Sequence, residues 1–171
     1  MLQYCASKLA HSINVKDSLG RVSLYSISRN VRGSHLSAGN LGNMEKEVQN
    51  WLDSARYDLE TARDMFQSGR YIYTVFMCHL ALEKVLKAKV HEMTDEEPPK
   101  THDLRYLMKL AELSPDREKQ ELIVGLSNMS IVTRYPRDFQ TMLRDFSLDR
   151  VQHILSKATE VFQWIEKTIL L

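Results

Sequence analysis

The residues from Phe76 to Ala88 constrain the fold of this chain more than any other stretch. They read Phe-Met-Cys-His-Leu-Ala-Leu-Glu-Lys-Val-Leu-Lys-Ala, which predicts one long helix with an apolar face. His79, Glu83 and Lys87 follow one another at four-residue spacing within it. This spacing places an imidazole, a carboxylate and an ammonium on one face of the helix. A chain built around such a helix is expected to form its core from helices.

Helical patterning continues through every segment from residue 44 onward. Apolar residues recur at spacings of three and four, which predicts helices at about 45–68, 71–93, 102–112 and 114–132 and a last helix after Ser147. Gly69 predicts a left-handed helix end, and Pro136 predicts a loop at 134–146. Helices joined by short or moderate loops pack as an up-and-down bundle. The predicted fold class is therefore all-α, with four or five helices.

The first 43 residues differ in composition from the rest of the chain. They contain eight serines, five basic residues and one acidic residue, without a sustained period of 2 or 3.6. Residues 22–27 predict a short strand, but no partner strand is visible in the sequence. The composition resembles an organelle transit peptide without its amphipathic helix. We interpret residues 1–43 as a disordered leader or an upstream extension before a working start at Met44, and residues 44–171 as the domain.

Length, charge and cysteine content narrow the class of protein. The 171 residues are 43% apolar, enough for one domain with a core, and they contain no run of about 18 apolar residues that predicts a membrane span. Residues 44–171 carry 18 basic and 21 acidic groups, a balance that does not indicate nucleic-acid binding. Cys5 and Cys78 lie far apart and predict free thiols in a reducing, cytoplasmic setting.

The line of His79, Glu83 and Lys87 has two interpretations. It is consistent with a nucleotide pocket in which Lys87 contacts phosphate and Glu83 orients it or accepts a hydrogen bond from ribose or base. The alternative is an ion pair on a solvated helix face, worth about 0.2–0.5 kcal/mol. Because the line falls beside apolar core positions, we expect it to be partly buried at a cleft or a dimer interface.

Two short motifs supply further candidate binding residues. In Thr101-His102-Asp103, His102 is predicted near a helix start, where backbone N–H groups hold anions, with Thr101 as the N-cap. In Arg134-Tyr135-Pro136, the proline restricts the residue before it, so that Arg134 suits a phosphate and Tyr135 a base. The structural alternatives are an exposed imidazole at residue 102, an arginine that caps a helix end and a tyrosine in the core.

Four motifs in one order give the chain a resemblance to a known family. They are residues 53–62, residues 79–88, Thr101-His102-Asp103-Leu104 and Arg134-Tyr135-Pro136. Together they resemble HEPN domains, a family of higher eukaryotes and prokaryotes associated with nucleotide binding, and the resemblance covers about residues 45–170. It implies a helical bundle that forms a homodimer. It also implies a minimal nucleotidyltransferase as partner, in a toxin–antitoxin pair or as a nucleotide-binding companion, as in the branch with Arg-Tyr-Pro.

Some HEPN proteins are ribonucleases that carry Arg, four to six residues, then His. In this chain that spacing occurs only between Arg29 and His35, which precede the predicted bundle. The resemblance therefore favours a non-catalytic protein that binds a nucleotide. Two alternatives stay open: a degenerate ribonuclease in which Arg134 acts with His102 or His153 on RNA, and a helical scaffold without a ligand.

The sequence predicts no cofactor and no metal site. His79, Glu83 and His102 form a conceivable ligand set, but the helix lacks supporting spacing such as His-x-x-x-His. The candidate binding residues are therefore His79, Glu83, Lys87, His102, Arg134 and Tyr135.

Overall fold

The computed structural model describes residues 11–16, 22–27, 38–134 and 138–169. The chain divides into two compact units, Met1–Ala38 and Gly39–Leu171. The described part of the first unit is an antiparallel pair of strands, β1 (His11–Lys16) and β2 (Val22–Ile27). His11 lies opposite Ile27 in this pair, and Lys16 lies opposite Val22.

The strand predicted at residues 22–27 therefore has a partner that the sequence did not reveal. β1 reads His-Ser-Ile-Asn-Val-Lys, in which only Ile13 and Val15 alternate with polar residues, so its period is too short to stand out. The interpretation of residues 1–43 as a leader or extension stays a prediction.

The second unit is helical, which confirms the predicted fold class. Within the described residues the helices are α1 (Ala38–Gln67), α2 (Tyr71–Thr94), α3 (Leu104–Leu110), α4 (Arg117–Arg134), α5 (Phe139–Asp145) and α6 (Leu148–Glu166). Four are long, and α3 and α5 have seven residues each. None of the helices in the described ranges combines the length and apolar character that a membrane span requires.

Helix α1 ends where the sequence predicted. Gly69 has φ 69°, the left-handed conformation that glycine adopts without a Cβ penalty. The N–H of Arg70 donates to the carbonyl of Met65 at 2.8 Å and that of Gly69 to Phe66 at 3.0 Å, which is the Schellman arrangement. The start of α1 at Ala38 precedes the predicted start at about residue 45.

The prediction of a loop from residue 134 to 146 was wrong for most of that range. Arg134 is the last residue of α4, and α5 occupies Phe139–Asp145. The carboxylate of Asp138 accepts hydrogen bonds from the N–H groups of Gln140 and Thr141, so it caps a new helix shortly after the proline. A helix this short gives too little periodicity for detection.

The N-cap of α3 also differs from the prediction. Asp103, expected inside the first turn, is the N-cap residue, and its carboxylate accepts the N–H of Arg105 at 3.0 Å. The hydroxyl of Thr101, the predicted cap, accepts the N–H of Asp103 at 3.2 Å instead. The predicted helix start at residue 102 is thus two residues early, and His102 precedes the helix.

Helix α2 lies at the centre of the bundle and is buried on most of its sides. Its buried apolar residues are Ile72, Val75, Cys78, Ala81, Leu82, Val85, Leu86, Ala88 and Val90. Helix α1 buries Val48, Leu52, Ala55, Leu59 and Ala62, and helix α6 buries Val151, Ile154, Ala158, Val161, Phe162 and Ile165. Cys78 is a free thiol, and burial raises its pKa to about 12, as suits a small core residue.

Polar contacts fix how α1 and α6 pack on α2. Glu47, Trp51 and Asp58 of α1 contact His91, Lys87 and Lys84 of α2, in reverse sequence order, so α1 and α2 are antiparallel. The ammonium of Lys89 on α2 donates to the carbonyl of Thr168, just after α6, at 2.8 Å. Arg56 of α1 forms an ion pair with Glu166 of α6 at 2.8 Å.

Candidate functional site

The polar line of α2 is buried within the bundle. His79 is 1% exposed, Glu83 4% and Lys87 8%. An exposed ion pair on a solvated helix face is therefore ruled out as the description of this line. Ionisable side chains are rarely buried unless they are paired, and the structure shows how these three are accommodated.

Glu83 is the centre of the cluster. Its Oε1 accepts a hydrogen bond from Nζ of Lys87 at 2.7 Å, and its Oε2 lies 2.8 Å from Nδ1 of His102. Nε2 of His79 lies 3.5 Å from the same Oε2, too far for a strong hydrogen bond but close enough for an electrostatic contact. One buried carboxylate thus joins three basic side chains, which we call the Glu83 cluster.

The environment of Glu83 holds it in the charged form. Burial on its own raises the pKa of this carboxyl group, but the contacts from His79, Lys87 and His102 outweigh burial and lower the pKa to about 2. The carboxylate is ionised at neutral pH and can only accept hydrogen bonds. Nδ1 of His102 is consequently the donor in its contact with Glu83.

The ammonium of Lys87 is held by its neighbours. It donates to Glu83, and it lies 5.5 Å from the ring centroid of Trp51 on α1, within the range of a cation–π contact. Trp51, which was not predicted as a site residue, therefore forms one wall of the cluster. Lys87 stabilises a buried negative charge rather than extending into solvent.

His102 is the exposed member of the Glu83 cluster. Its side chain is 60% exposed, and it lies in the segment between α2 and α3. Nδ1 makes the contact with Glu83, and Nε2 is the ring nitrogen that takes no part in it. Asp103 beside it is fixed by its capping role and by the hydroxyl of Ser127 on α4, which donates to Asp103 at 3.3 Å.

His79 is the least satisfied polar residue of the cluster. Among the described residues neither of its ring nitrogens has a hydrogen-bond partner, although the side chain is almost fully buried. Buried polar groups without partners are costly and uncommon. The contact with the ionised Glu83 is the compensation that the structure offers this imidazole.

His91 extends the line and was missed as a candidate. It follows Lys87 by four residues, so the spacing that selected the other three also predicts its position. It is 3% exposed, with Nδ1 2.8 Å from the carbonyl of Glu96 and Nε2 3.0 Å from a carboxylate oxygen of Glu47. A cavity of about 230 Å³ is lined by this residue together with Asn43, Met44, Glu47, Asp95 and Glu97.

The structure describes only the backbone of Arg134 and does not describe Tyr135. Arg134 ends α4, so the expectation that it follows the helix in a loop was wrong by one residue. Its side chain and the whole of Tyr135 lie outside the described residues. The structure therefore brings together His79, Glu83, Lys87 and His102 of the six predicted residues, and the association of Arg134 and Tyr135 with them stays a prediction.

Metal binding finds no support in the described parts of the chain. Within them, no group of three or more histidine, cysteine, aspartate or glutamate side chains has a metal-binding arrangement. The oxygens of Glu83, the only carboxylate in the conceivable ligand set, already contact Lys87 and His102.

The chemistry of the Glu83 cluster follows from these contacts. A buried, ionised carboxylate contacts an exposed imidazole and fixes the orientation of its ring. Such an imidazole can accept a proton, donate one or contact an anion. The fold and the site together define a helical bundle with a buried charge cluster that reaches the surface at one histidine.

Comparison with known proteins identifies the family to which this bundle belongs. The family model of the HEPN domain matches residues 48–168, most of the helical unit, and the chain belongs to the HEPN domain family. An archaeal HEPN homologue of known crystal structure is similar at a TM-score of 0.60 and 20% identity, over 72% of this chain and 98% of its own. A protein from Thermus thermophilus is similar at a TM-score of 0.58 and 24% identity, over 70% and 96% of the two chains. No curated protein sequence matches this chain.

Proposed function

We propose that this HEPN protein binds a nucleotide at the Glu83 cluster and does not act as an enzyme. The observation that carries the proposal is the junction of three basic side chains on one buried, ionised carboxylate, open to solvent at His102. In this proposal Arg134 contacts phosphate as a bidentate donor and Tyr135 stacks on the base, as the Arg-Tyr-Pro motif suggests.

The proposal assigns Lys87 a different part from the one expected from sequence. The sequence alone favoured a direct contact between Lys87 and phosphate. Because its ammonium already binds Glu83 and faces Trp51, we assign it to holding the carboxylate in place. Arg134 and His102 are then the candidates for contact with the anion.

Calorimetric titration of the full chain with ATP, GTP and CTP tests the proposal. We expect saturable binding of at least one nucleotide and a loss of about ten-fold or more in affinity in Arg134→Ala, since a bidentate charged contact is lost. Arg117→Ala is the matched control, because Arg117 lies on the same helix and its side chain is 92% exposed. No binding of any nucleotide would refute the proposal and favour a scaffold that binds partners through its helix faces.

We also propose that the protein acts as a homodimer with a separately encoded minimal nucleotidyltransferase, in a toxin–antitoxin-like pair. Family membership is what supports this assignment. Sedimentation equilibrium of the purified chain tests the homodimer, and we expect a mass twice that of the monomer. Co-purification with a nucleotidyltransferase encoded beside it tests the second, and a monomer that binds no such protein would contradict both.

The contact between Glu83 and His102 favours ribonuclease activity as a second candidate function. A carboxylate that orients an imidazole is the arrangement used for general-base catalysis. His102 would remove the proton from a ribose 2′-hydroxyl, and Arg134 would stabilise the charge that develops on phosphate. Cleavage of single-stranded RNA by the purified chain, lost in both His102→Ala and Arg134→Ala, would establish it. His153→Ala, a change at an exposed histidine of α6, decides between the two candidate bases.

A further inference from the structure

We propose that the phosphate of the bound nucleotide is held by protonated His102, and that Lys87 makes no contact with it. The inference rests on the proposed nucleotide site and names the group that recognises the anion. It also makes binding dependent on the uptake of one proton.

The charges of the Glu83 cluster support this assignment. The carboxylate of Glu83 and the ammonium of Lys87, 2.7 Å apart, neutralise each other. When His79 and His102 are both neutral, an incoming phosphate meets a cluster with no net charge. With His102 protonated, the cluster carries one positive charge, located on its exposed residue.

Solvent exposure also indicates that His102 is the residue that contacts the phosphate. His79 and Lys87 are 1% and 8% exposed, whereas the side chain of His102 is 60% exposed. The hydrogen bond to Glu83 engages Nδ1, so Nε2 is the ring nitrogen that this contact leaves for a ligand. In the protonated ring Nε2 carries a hydrogen and donates to a phosphate oxygen, while in the neutral ring it has only a lone pair.

The surrounding charged groups do not supply an alternative cation in the described part of the site. On α2 the neighbours are Glu83, Lys87 and His79. On α3, Asp103 caps the helix and pairs with Arg105 at 3.2 Å, so these two charges compensate each other. From α4, the polar group that reaches Asp103 is the hydroxyl of Ser127, and from α1 Trp51 faces Lys87.

The sign of the pH effect follows from the direction of protonation. A protonated imidazole attracts phosphate and a neutral one does not, so affinity is highest on the acidic side and falls as pH rises. We expect binding at pH 6 to be about ten-fold tighter than binding at pH 8.

The inference is tested by calorimetric titration of the full chain at pH 6, 7 and 8. The nucleotide is whichever of ATP, GTP and CTP binds most tightly, and each titration is repeated in buffers of different ionisation enthalpy. Such pairs of buffers report the number of protons taken up on binding. Wild type is expected to take up more protons than His102→Gln, whose affinity changes with pH only as far as the nucleotide itself titrates. Arg117→Gln, at a side chain on α4 that is 92% exposed, is the control and should behave as wild type.

The outcomes separate the inference from the function on which it rests. Proton uptake that disappears in His102→Gln supports the inference. Binding with the same proton uptake and pH profile in wild type and His102→Gln overturns it and leaves the nucleotide site standing. Absence of binding for wild type at all three pH values overturns the nucleotide site and the inference together. The circular dichroism of each variant, compared with wild type, shows whether a loss of binding reflects unfolding.

Discussion

Glu83 decides the electrostatics of this protein at the scale of single residues. A carboxylate with 4% exposure is stable only because Lys87 and His102 donate to its two oxygens and His79 lies nearby. Removal of one partner from a buried pair leaves the other charge without compensation, and this costs more than the pair itself contributes. The cluster is therefore a structural requirement of the bundle as well as a candidate binding site.

Lys87→Ala is expected to reduce the free energy of unfolding by about 3 kcal/mol. The change leaves the carboxylate of Glu83 buried without its ammonium partner and removes the contact with the Trp51 ring. Urea unfolding followed by circular dichroism measures the loss. The control is Lys109→Ala on α3, at an exposed position, which should change stability by less than about 0.5 kcal/mol. Equal effects of the two substitutions would contradict the buried role of Lys87.

Glu83 should also make stability depend on pH in the acid range. Its pKa is lowered to about 2 in the folded chain from an ordinary value of 4.5, so the folded state binds protons less readily than the unfolded state. The stabilisation is present above about pH 4.5 and is lost as pH falls through the folded pKa. Its size is at most about 3 kcal/mol, and less where water reaches the carboxylate.

Glu83→Gln isolates this contribution from that of other carboxyl groups. We expect wild type to be more stable than the variant at pH 7, with the difference shrinking as urea unfolding is repeated from pH 5 down to pH 2.5. A difference that is constant over this range would mean that the ionisation of Glu83 is not what stabilises the cluster.

At the scale of elements, two glycines show how the backbone at a helix end differs from that in a helix interior. Gly69 has φ 69° in the Schellman end of α1, whereas Gly125 lies within α4 and an added Cβ there would meet Met129 at an ordinary 3.8 Å. Gly69→Ala is therefore expected to destabilise the protein by about 1 kcal/mol. Gly125→Ala is expected to stabilise it by about 0.5–1 kcal/mol, because alanine loses less conformational entropy in a helix.

Thermal unfolding of the two glycine variants measures these opposite shifts. No steric contact within 4 Å accompanies a Cβ at residue 69, so its cost would be conformational. A midpoint that rises for Gly69→Ala, or one that falls for Gly125→Ala, would show that the backbone conformations at these positions differ from those described.

At the scale of the whole molecule, the bundle contains its own core. Its buried apolar residues within the described side chains run from Val48 to Ile165, all in the unit Gly39–Leu171. We expect a chain that begins at Gly39 to keep the helical circular dichroism per residue and the thermal midpoint of the bundle. A chain that begins at residue 54 lacks Val48 and Leu52 and is expected to unfold, since two fully buried side chains are lost. Unfolding of the longer fragment would show that the bundle depends on residues 1–38.

The sequence by itself was sufficient to predict the long helices of the bundle. A period of three and four residues repeats many times in α1, α2 and α6, and this repetition was enough to predict each of the three helices. The pairing of β1 with β2 and the short helix α5 were missed. Each rests on a few residues whose pattern is too brief to distinguish from chance.

The candidate site could likewise be predicted from the sequence only in part. The four-residue spacing of His79, Glu83 and Lys87 was enough to place them on one face, and the same rule extends to His91. The contact of His102 with Glu83 joins residues 19 apart in sequence, and that of Lys87 with Trp51 joins two helices. Local periodicity determines which side chains share a helix face. Only the packing of the helices decides which of these charges are buried, which are neutralised and which imidazole of the cluster stays exposed.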